Sequence, residues 1–360
     1  MRVLMITQAV DLDYSVLGFT VRWVNALAQH VEHLHVVALR AGRADLVSNV
    51  TMHTYESGRE APDRWQRLRF YNQELSHLVL HGQVDVAFIH MIPQWVLMTA
   101  PYARLRGIPV VLWYTHSAVT PKLRVAHLLA QRILTASRES YRLPHGDKVH
   151  VLGHGIDTEY FHPSPRSPDE AFNVLSVGRI SPVKQHDVLV EAARILVYQQ
   201  GLQGLQVCIV GGPALSSDEG YAERLQQTVM DYGLQQHVSI VGPIPYDQMA
   251  TTYHSSDLFA NLSRTDSLDK AALEAMACGL PVVSSNPALA PLLKGVSADL
   301  FFPHGDPAAL ARAIACVAEL PASERQQMGL SLRNRVEQEH GVERLMNRIA
   351  QEFQEITHSE

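Results

Sequence analysis

The sequence is short of several things whose absence narrows what it can be. Three cysteines in 360 residues, Cys208, Cys278 and Cys316, stand far apart in apolar surroundings with no C-x-x-C spacing. That excludes a disulfide-stapled scaffold and a thiolate zinc site, and they read as reduced core thiols of a cytosolic protein. Charged residues make up only 18%, and 30 basic against 36 acidic side chains leave a net charge of −6. Without an excess of positive charge, nucleic acid is not expected as a partner. No apolar run approaches the roughly 18 residues of a membrane span, so any membrane association is expected to be peripheral. There is no H-E-x-x-H or comparable ligand spacing, so no metal is expected. No G-x-G-x-x-G follows a strand, which argues against a dinucleotide-dependent oxidoreductase.

What is present is a regular alternation. Val3–Thr7, Leu34–Leu39, Val84–His90 and Val110–Tyr114 are β-branched runs, separated by helical patterns near 19–30, 63–80, 94–106 and 121–132. MRVLMITQAV lacks a signal-peptide cleavage pattern and reads as the first strand. A last strand near Val149 leads into a Gly-containing loop and a Pro-rich stretch with Pro163, Pro165 and Pro168. Further strands are expected at Phe172–Val177, Leu205–Val210, Val238–Val241 and Leu258–Asn261, the last three each after a helical stretch. The tail from Asp306 is helical by pattern, punctuated by Pro321. Such alternation implies parallel, doubly wound sheets, and the length suits two of them. The expected domains are 1–160 and 172–340, joined by a linker at 161–171, with a final helix over 341–360 returning to the first domain.

Ligands on such sheets sit beyond the carboxyl ends of the strands, so the loops there hold the candidates. Gly18 precedes the first helix and would let a diphosphate approach its unsatisfied N–H groups, or it is simply a helix-start glycine. The DLD at 11–13 looks like a metal-binding D-x-D, but its surroundings do not match one. His116 stands at the end of the fourth strand, facing a presumed cleft. Trp95, Met98 and Tyr102 share a helix that lines an acceptor cleft or, more simply, packs the core. Arg59, Arg64, Arg67 and Arg69 lie near Trp65, Phe70 and Tyr71, as a solvated helix face or a contact for anionic lipid. In the second domain, Arg179 and Lys184 flank a turn, where two cations would meet a diphosphate. Finally, Lys270–Cys278 forms an Ala-rich helix stopped by Gly279 and Pro281, with one lone carboxylate, Glu274. Buried there it needs a partner, whereas an amphipathic helix would leave it in solvent.

These segments together resemble a known family. LEAMACGLPVVSS, with Asp266 eight residues before Glu274, resembles the E-x7-E region of the retaining nucleotide-sugar glycosyltransferases of family 4 (group 1), which have the GT-B fold: two Rossmann-like doubly wound domains facing across a cleft. GRISPVK matches that family's G-R-x4-K element residue for residue, and HGIDTEYFHP resembles its interdomain loop with His154 in place of Asn. WYTHSAVTPKLR looks like the segment whose histidine approaches the donor sugar, which is His116 here. The chain departs from the family where Asp266, Ser267, Leu268 and Asp269 replace a Glu followed by Gly-Phe-Gly.

The resemblance implies a cytoplasmic transferase, one that could sit at the inner face of the membrane, moving a sugar from a nucleoside diphosphate to a glycan or lipid-linked acceptor with retention and without a metal. Glu274 would bind the donor ribose, Arg179 and Lys184 would stabilise the leaving diphosphate, and Asp266 with the amides of Ser267, Leu268, Asp269 and Lys270 would meet the sugar. Ile244, in the loop closing a strand, would touch the nucleobase. The replaced residues also suit a non-catalytic partner or scaffold of the same fold, and a nucleotide-sugar epimerase shares the motifs.

Overall fold

The first strand, β1 (Arg2–Val10), is buried along both faces. Val3 and Met5 enter one core cluster, and Leu4 and Ile6 the other. That is the signature of a central strand in a sheet covered on both sides. Around it, in a computed structural model describing residues 1–14, 17–55, 63–165, 171–213, 215–263, 265, 267–297 and 300–358, the chain forms two α/β units.

The first unit comprises 1–155, 245–247 and 342–360. After β1 come α1 (Thr20–Ala28), β2 (His33–Ala41), β3 (Val50–Thr54), α2 (Arg64–Leu80), β4 (Val86–His90), α3 (Pro93–Leu105), β5 (Val110–Trp113), α4 (Pro121–Leu129), β6 (Arg132–Thr135) and β7 (Val149–Val151). Its seven strands run parallel in the order β3-β2-β1-β4-β5-β6-β7. Helices α2, α3 and α4 cover one face, burying Tyr71, Trp95 and Leu123. Trp95 is therefore core, with Met98 and Tyr102 packed against the same cluster. The expected helix over 121–132 ends at Leu129, because 132–135 forms the short interior strand β6.

The second unit comprises 156–244 and 248–341. It holds β8 (Phe172–Val177), α5 (His186–Tyr198), β9 (Leu205–Val210), α6 (Ser216–Asp231), β10 (Val238–Val241), α7 (Met249–His254), β11 (Leu258–Asn261), α8 (Lys270–Ala277), β12 (Val282–Ser284), α9 (Ala290–Leu293), α10 (Pro307–Glu319) and α11 (Ala322–His340). Its five strands are parallel in the order β10-β9-β8-β11-β12. Helix α8 stops where its sequence says: Gly279 takes φ +77°, and the Leu280 amide donates back to the Ala275 carbonyl. Cys316 on α10 is exposed, so the expectation of three core thiols fails there; Cys278 is buried and Cys208 half-buried. One wall of α10 faces solvent, and Cys316 falls on it.

The last helix, α12 (Val342–His358), belongs to the first unit. Val342, Leu345, Met346, Ile349 and Phe353 repeat at helical spacing and enter the cluster that also holds Trp23 and Trp113. Glu352 takes the Arg132 guanidinium and a ring nitrogen of His150, the latter at 2.6 Å, and Arg348 donates to the Leu152 carbonyl at 2.7 Å. No helix among the described residues is long and apolar enough to cross a membrane.

Candidate donor site in the second unit

In a sheet ordered β10-β9-β8-β11-β12, the chain crosses from one side to the other between β8 and β11. The loops leaving those two strands diverge, and the crevice they leave is where such sheets bind ligands. Loop 178–185, after β8, carries Arg179 and Lys184. Loop 262–269, after β11, leads into α8. The topology thus brings together residues about eighty positions apart in sequence.

The β8 loop is held tightly. The Gly178 amide donates to the Val210 carbonyl at 3.0 Å and the Ile180 amide to Gly212 at 2.9 Å. Gly211, at φ +142°, passes so close that a Cβ there would lie 1.9 Å from the Gly178 oxygen. A 3-10 turn over Pro182–Lys184 follows, and Gln185 enters the left-handed region at φ +49° to start α5. Arg179 is exposed and makes no hydrogen bond or ion pair among the described residues. Lys184 is folded inward onto Asp269, with their side chains 17% and 8% exposed.

Asp269 caps α8, accepting from the Ala271 amide at 3.2 Å, while its other oxygen takes Lys184 and the Asn261 amide nitrogen, the latter at 2.9 Å. Burial would raise its carboxyl, but the Lys184 ammonium together with the hydrogen bonds from Asn261 and the Ala271 amide outweighs that and holds it below its ordinary value. Asn261 is itself fixed, accepting from Ser284 at 3.0 Å. Asn286 ties the second loop down, donating to the Ser267 carbonyl at 3.0 Å.

One turn into α8, Glu274 is buried at 6% exposure. The protein itself satisfies it: Tyr253 donates to one oxygen at 3.0 Å and Lys270 to the other at 2.8 Å. Burial and the Glu274 charge push the Tyr253 phenol well above its usual range, so it stays a donor. Under Lys184 lies His186, wholly buried, with neither ring nitrogen hydrogen-bonded among the described residues. Burial, then the neighbouring Lys184 charge, lowers its pKa to about 3, so it is neutral. Ser181 Oγ and Gln185 Oε1 are also buried without partners. These buried polar atoms, without partners among the described residues, lie in the β8 loop and at the start of α5.

Residues 157–335, most of this unit, match the family described as Glycosyl transferases group 1. This segment belongs to the group 1 glycosyl transferases. A D-inositol 3-phosphate glycosyltransferase of Catenulispora acidiphila is 32% identical over 190 residues, 49% of this chain and 44% of that protein. One from Mycobacteroides abscessus is 35% identical over 147 residues, 38% of this chain and 31% of that one. The chain therefore matches less than half the length of these curated relatives. Solved structures match over nearly the full chain. Anabaena Alr3699/HepE, in complex with UDP and glucose, has a TM-score of 0.76 at 17% identity, covering 98% of this chain and 99% of that one. Sucrose-phosphate synthase of Thermosynechococcus elongatus also scores 0.76 at 17% identity, with both chains fully covered. The fold is that of the GT-B glycosyltransferases.

Of the residues that the glycosyltransferase resemblance singles out, the second unit sets two ion pairs, Lys184 with Asp269 and Lys270 with Glu274, at the start of α8, with the Ser267 carbonyl held by Asn286. Arg179 shares the Lys184 loop, Leu268 is half-buried beside Asp269, and Ile244 is half-buried in the loop after β10. Asp266 lies outside the described residues. Gly18 and His116 belong to the first unit. At Gly18 the place of a side chain is filled, since a Cβ would come 2.5 Å from that of Tyr246. His116 is exposed beyond the end of β5, its ring 5.8 Å from that of Tyr114. The DLD acids are engaged within the first unit, Asp11 with Arg40 at 2.9 Å and Asp13 with Arg43 at 2.8 Å. No cluster of three potential metal ligands occurs among the described residues. Of the arginine-rich stretch, Arg59 lies outside the described residues, while Trp65 is 76% exposed on α2.

Sequence reasoning missed Asn261, Tyr253, His186 and Asn286. Asn261 ends a strand with a polar residue and Asn286 precedes a proline, which are weak signals. Nothing local marks Tyr253 or His186.

Proposed function

We propose that this chain is a retaining glycosyltransferase that takes a sugar from a nucleoside diphosphate bound in the second unit and passes it to a glycan or lipid-linked acceptor. The observation that carries this reading is the convergence of Arg179 and Lys184 with the Asp269–Glu274 helix start at the crossover of the second sheet. Arg179 and Lys184 would meet the diphosphate, and Glu274 the ribose hydroxyls, using acceptor capacity beyond its bonds to Tyr253 and Lys270. The α8 N-terminus supplies N–H groups suited to sugar oxygens. In the reaction the anomeric carbon loses its bond to the phosphate oxygen, which keeps the electron pair, while the acceptor oxygen forms the new bond on the same face. The departing phosphate takes the acceptor proton, so no side-chain nucleophile is needed. The developing charge falls to Arg179 and Lys184 to stabilise, a role we assign to them without a metal.

The names of the relatives select the first ligands. UDP and UDP-glucose come from the Anabaena HepE complexes, and inositol 3-phosphate, as an acceptor, from the curated relatives. Thermal unfolding of the wild type and Lys184→Ala should be followed with a panel of nucleoside diphosphates and their sugars, in magnesium and in EDTA. A ligand at 100 times its Kd adds about 2.7 kcal/mol. Stabilisation by one base, insensitive to EDTA, absent in the variant and accompanied by sugar transfer, is the expected result. Normal turnover by Lys184→Ala would overturn the assignment. Nucleotide binding with no transfer to any acceptor would favour the non-catalytic scaffold, a reading supported by the carboxylate that already neutralises Lys184.

A further inference from the structure

Loop 178–185 meets α8 through one buried ion pair, and its consequence for ligand binding follows from how unequally the two partners are held. Asp269 is fixed from two directions besides the lysine, by the Ala271 amide and by Asn261, which Ser284 in turn holds. It cannot swing away without uncapping α8. Lys184 hangs on a flexible stem that crosses Gly178, where an added Cβ would come 3.0 Å from its Cε. Any movement in this pair therefore belongs to the lysine. The charges nearby are also largely spent, with Lys184 set against Asp269 and Lys270 against Glu274. Arg179 is the exposed cation of this loop without a partner among the described residues.

We propose that Asp269 is an internal competitor for the diphosphate, a fixed carboxylate that holds Lys184 until a ligand phosphate takes a share of it, and so sets how tightly the site keeps nucleoside diphosphates. This rests on the donor-site reading above. A phosphate reaching Lys184 must either draw the ammonium off Asp269, leaving a buried carboxylate without its cation, or share it and lie beside a like charge. Both oppose binding. The opposition is greatest for the ligand with most charge on its terminal phosphate. A free nucleoside diphosphate exceeds its sugar ester in that respect, so Asp269 favours release of the leaving nucleotide over loss of the donor. Ser181 Oγ and the His186 ring nitrogens, buried without a hydrogen-bond partner among the described residues, are polar groups that the resting pair leaves unused.

Asp269→Ser tests this, since serine keeps a capping oxygen for α8 while removing the charge. Titration calorimetry with UDP, GDP, ADP and inorganic pyrophosphate would be run on the full chain as wild type, Asp269→Ser, Lys184→Met and the double variant. The expected result is that the best nucleoside diphosphate binds at least tenfold more tightly to Asp269→Ser, about 1.4 kcal/mol. The gain should be smaller for its sugar ester and fall to about threefold or less in the Lys184→Met background. Unchanged or weaker binding by Asp269→Ser, with its circular dichroism and melting midpoint close to wild type, would overturn the competitor role while leaving the donor site standing. If neither wild type nor variant binds any of the four, both readings fall. A gain of equal size with and without Lys184 would mean simple repulsion and would likewise overturn competition for the lysine.

Discussion

Gly211→Ala probes how the β8 loop is built. The Cβ introduced there lies 1.9 Å from the Gly178 oxygen, where ordinary contact begins at 3.4 Å, and the residue sits at φ +142°. A non-glycine residue in that region costs about 1–3 kcal/mol in backbone strain. To clear the clash the Gly178 carbonyl must retreat by about 1.5 Å, which opens the bonds from Gly178 to Val210 and from Ile180 to Gly212, worth roughly 1 kcal/mol each. A loss of about 3–5 kcal/mol follows. For a unit of this size each kcal/mol moves the midpoint by roughly 2–4 °C, giving a fall of about 6–20 °C in the transition of the second unit. Gly212→Ala is the control: its nearest foreign atom would be Pro243 Cδ at 3.5 Å and its φ is not left-handed, so its midpoint should stay within about 2 °C of wild type. Differential scanning calorimetry resolves the two. Since the strained peptide adjoins Arg179, nucleotide binding should weaken in the first variant and persist in the second. A Gly211→Ala protein melting within about 2 °C of wild type would show that the two loops are not locked together as described.

Glu352→Ala should destabilise the first unit by about 2–3 kcal/mol, because Arg132, 16% exposed, and His150 lose the carboxylate between them; urea unfolding measures this, and an unchanged midpoint would refute it. Stability should also fall as the pH is lowered from about 6.5 towards 4. Burial holds His186 near 3 and His35 near 4 when folded, while both titrate near 6.5 when unfolded, so the unfolded chain binds more protons in that window and the stabilisation is complete only above it. Melting curves between about pH 7.5 and 4.5 test the sign, and His186→Gln should flatten the slope of the second unit. A midpoint that rises on acidification would contradict this account of both histidines.

The order of strands and helices was written locally. Runs such as Phe172–Val177 and Leu205–Val210 are strands because β-branched residues suit a sheet buried on both faces, and α8 ends at Gly279 because glycine alone takes that backbone conformation without strain. Short strands such as β6 and β12 escaped, since runs of three or four residues have no period to read. The candidate site was legible as residue types: GRISPVK announced two cations and LEAMACG a lone acid. What each acid touches was not. Glu274 finds Tyr253 and Lys270, and Lys184 finds Asp269 across 85 positions, because the crossover between β8 and β11 sets two loops side by side. Asp269, read from sequence as a departure in a glycine's place whose amide would meet the sugar, becomes in three dimensions both the cap of a helix and the counter-ion of the lysine. Patterning determined the two sheets, since burying apolar surface needs only the right period; tertiary structure decided the charges, since a buried ion is stable only beside a partner that the chain must return to supply.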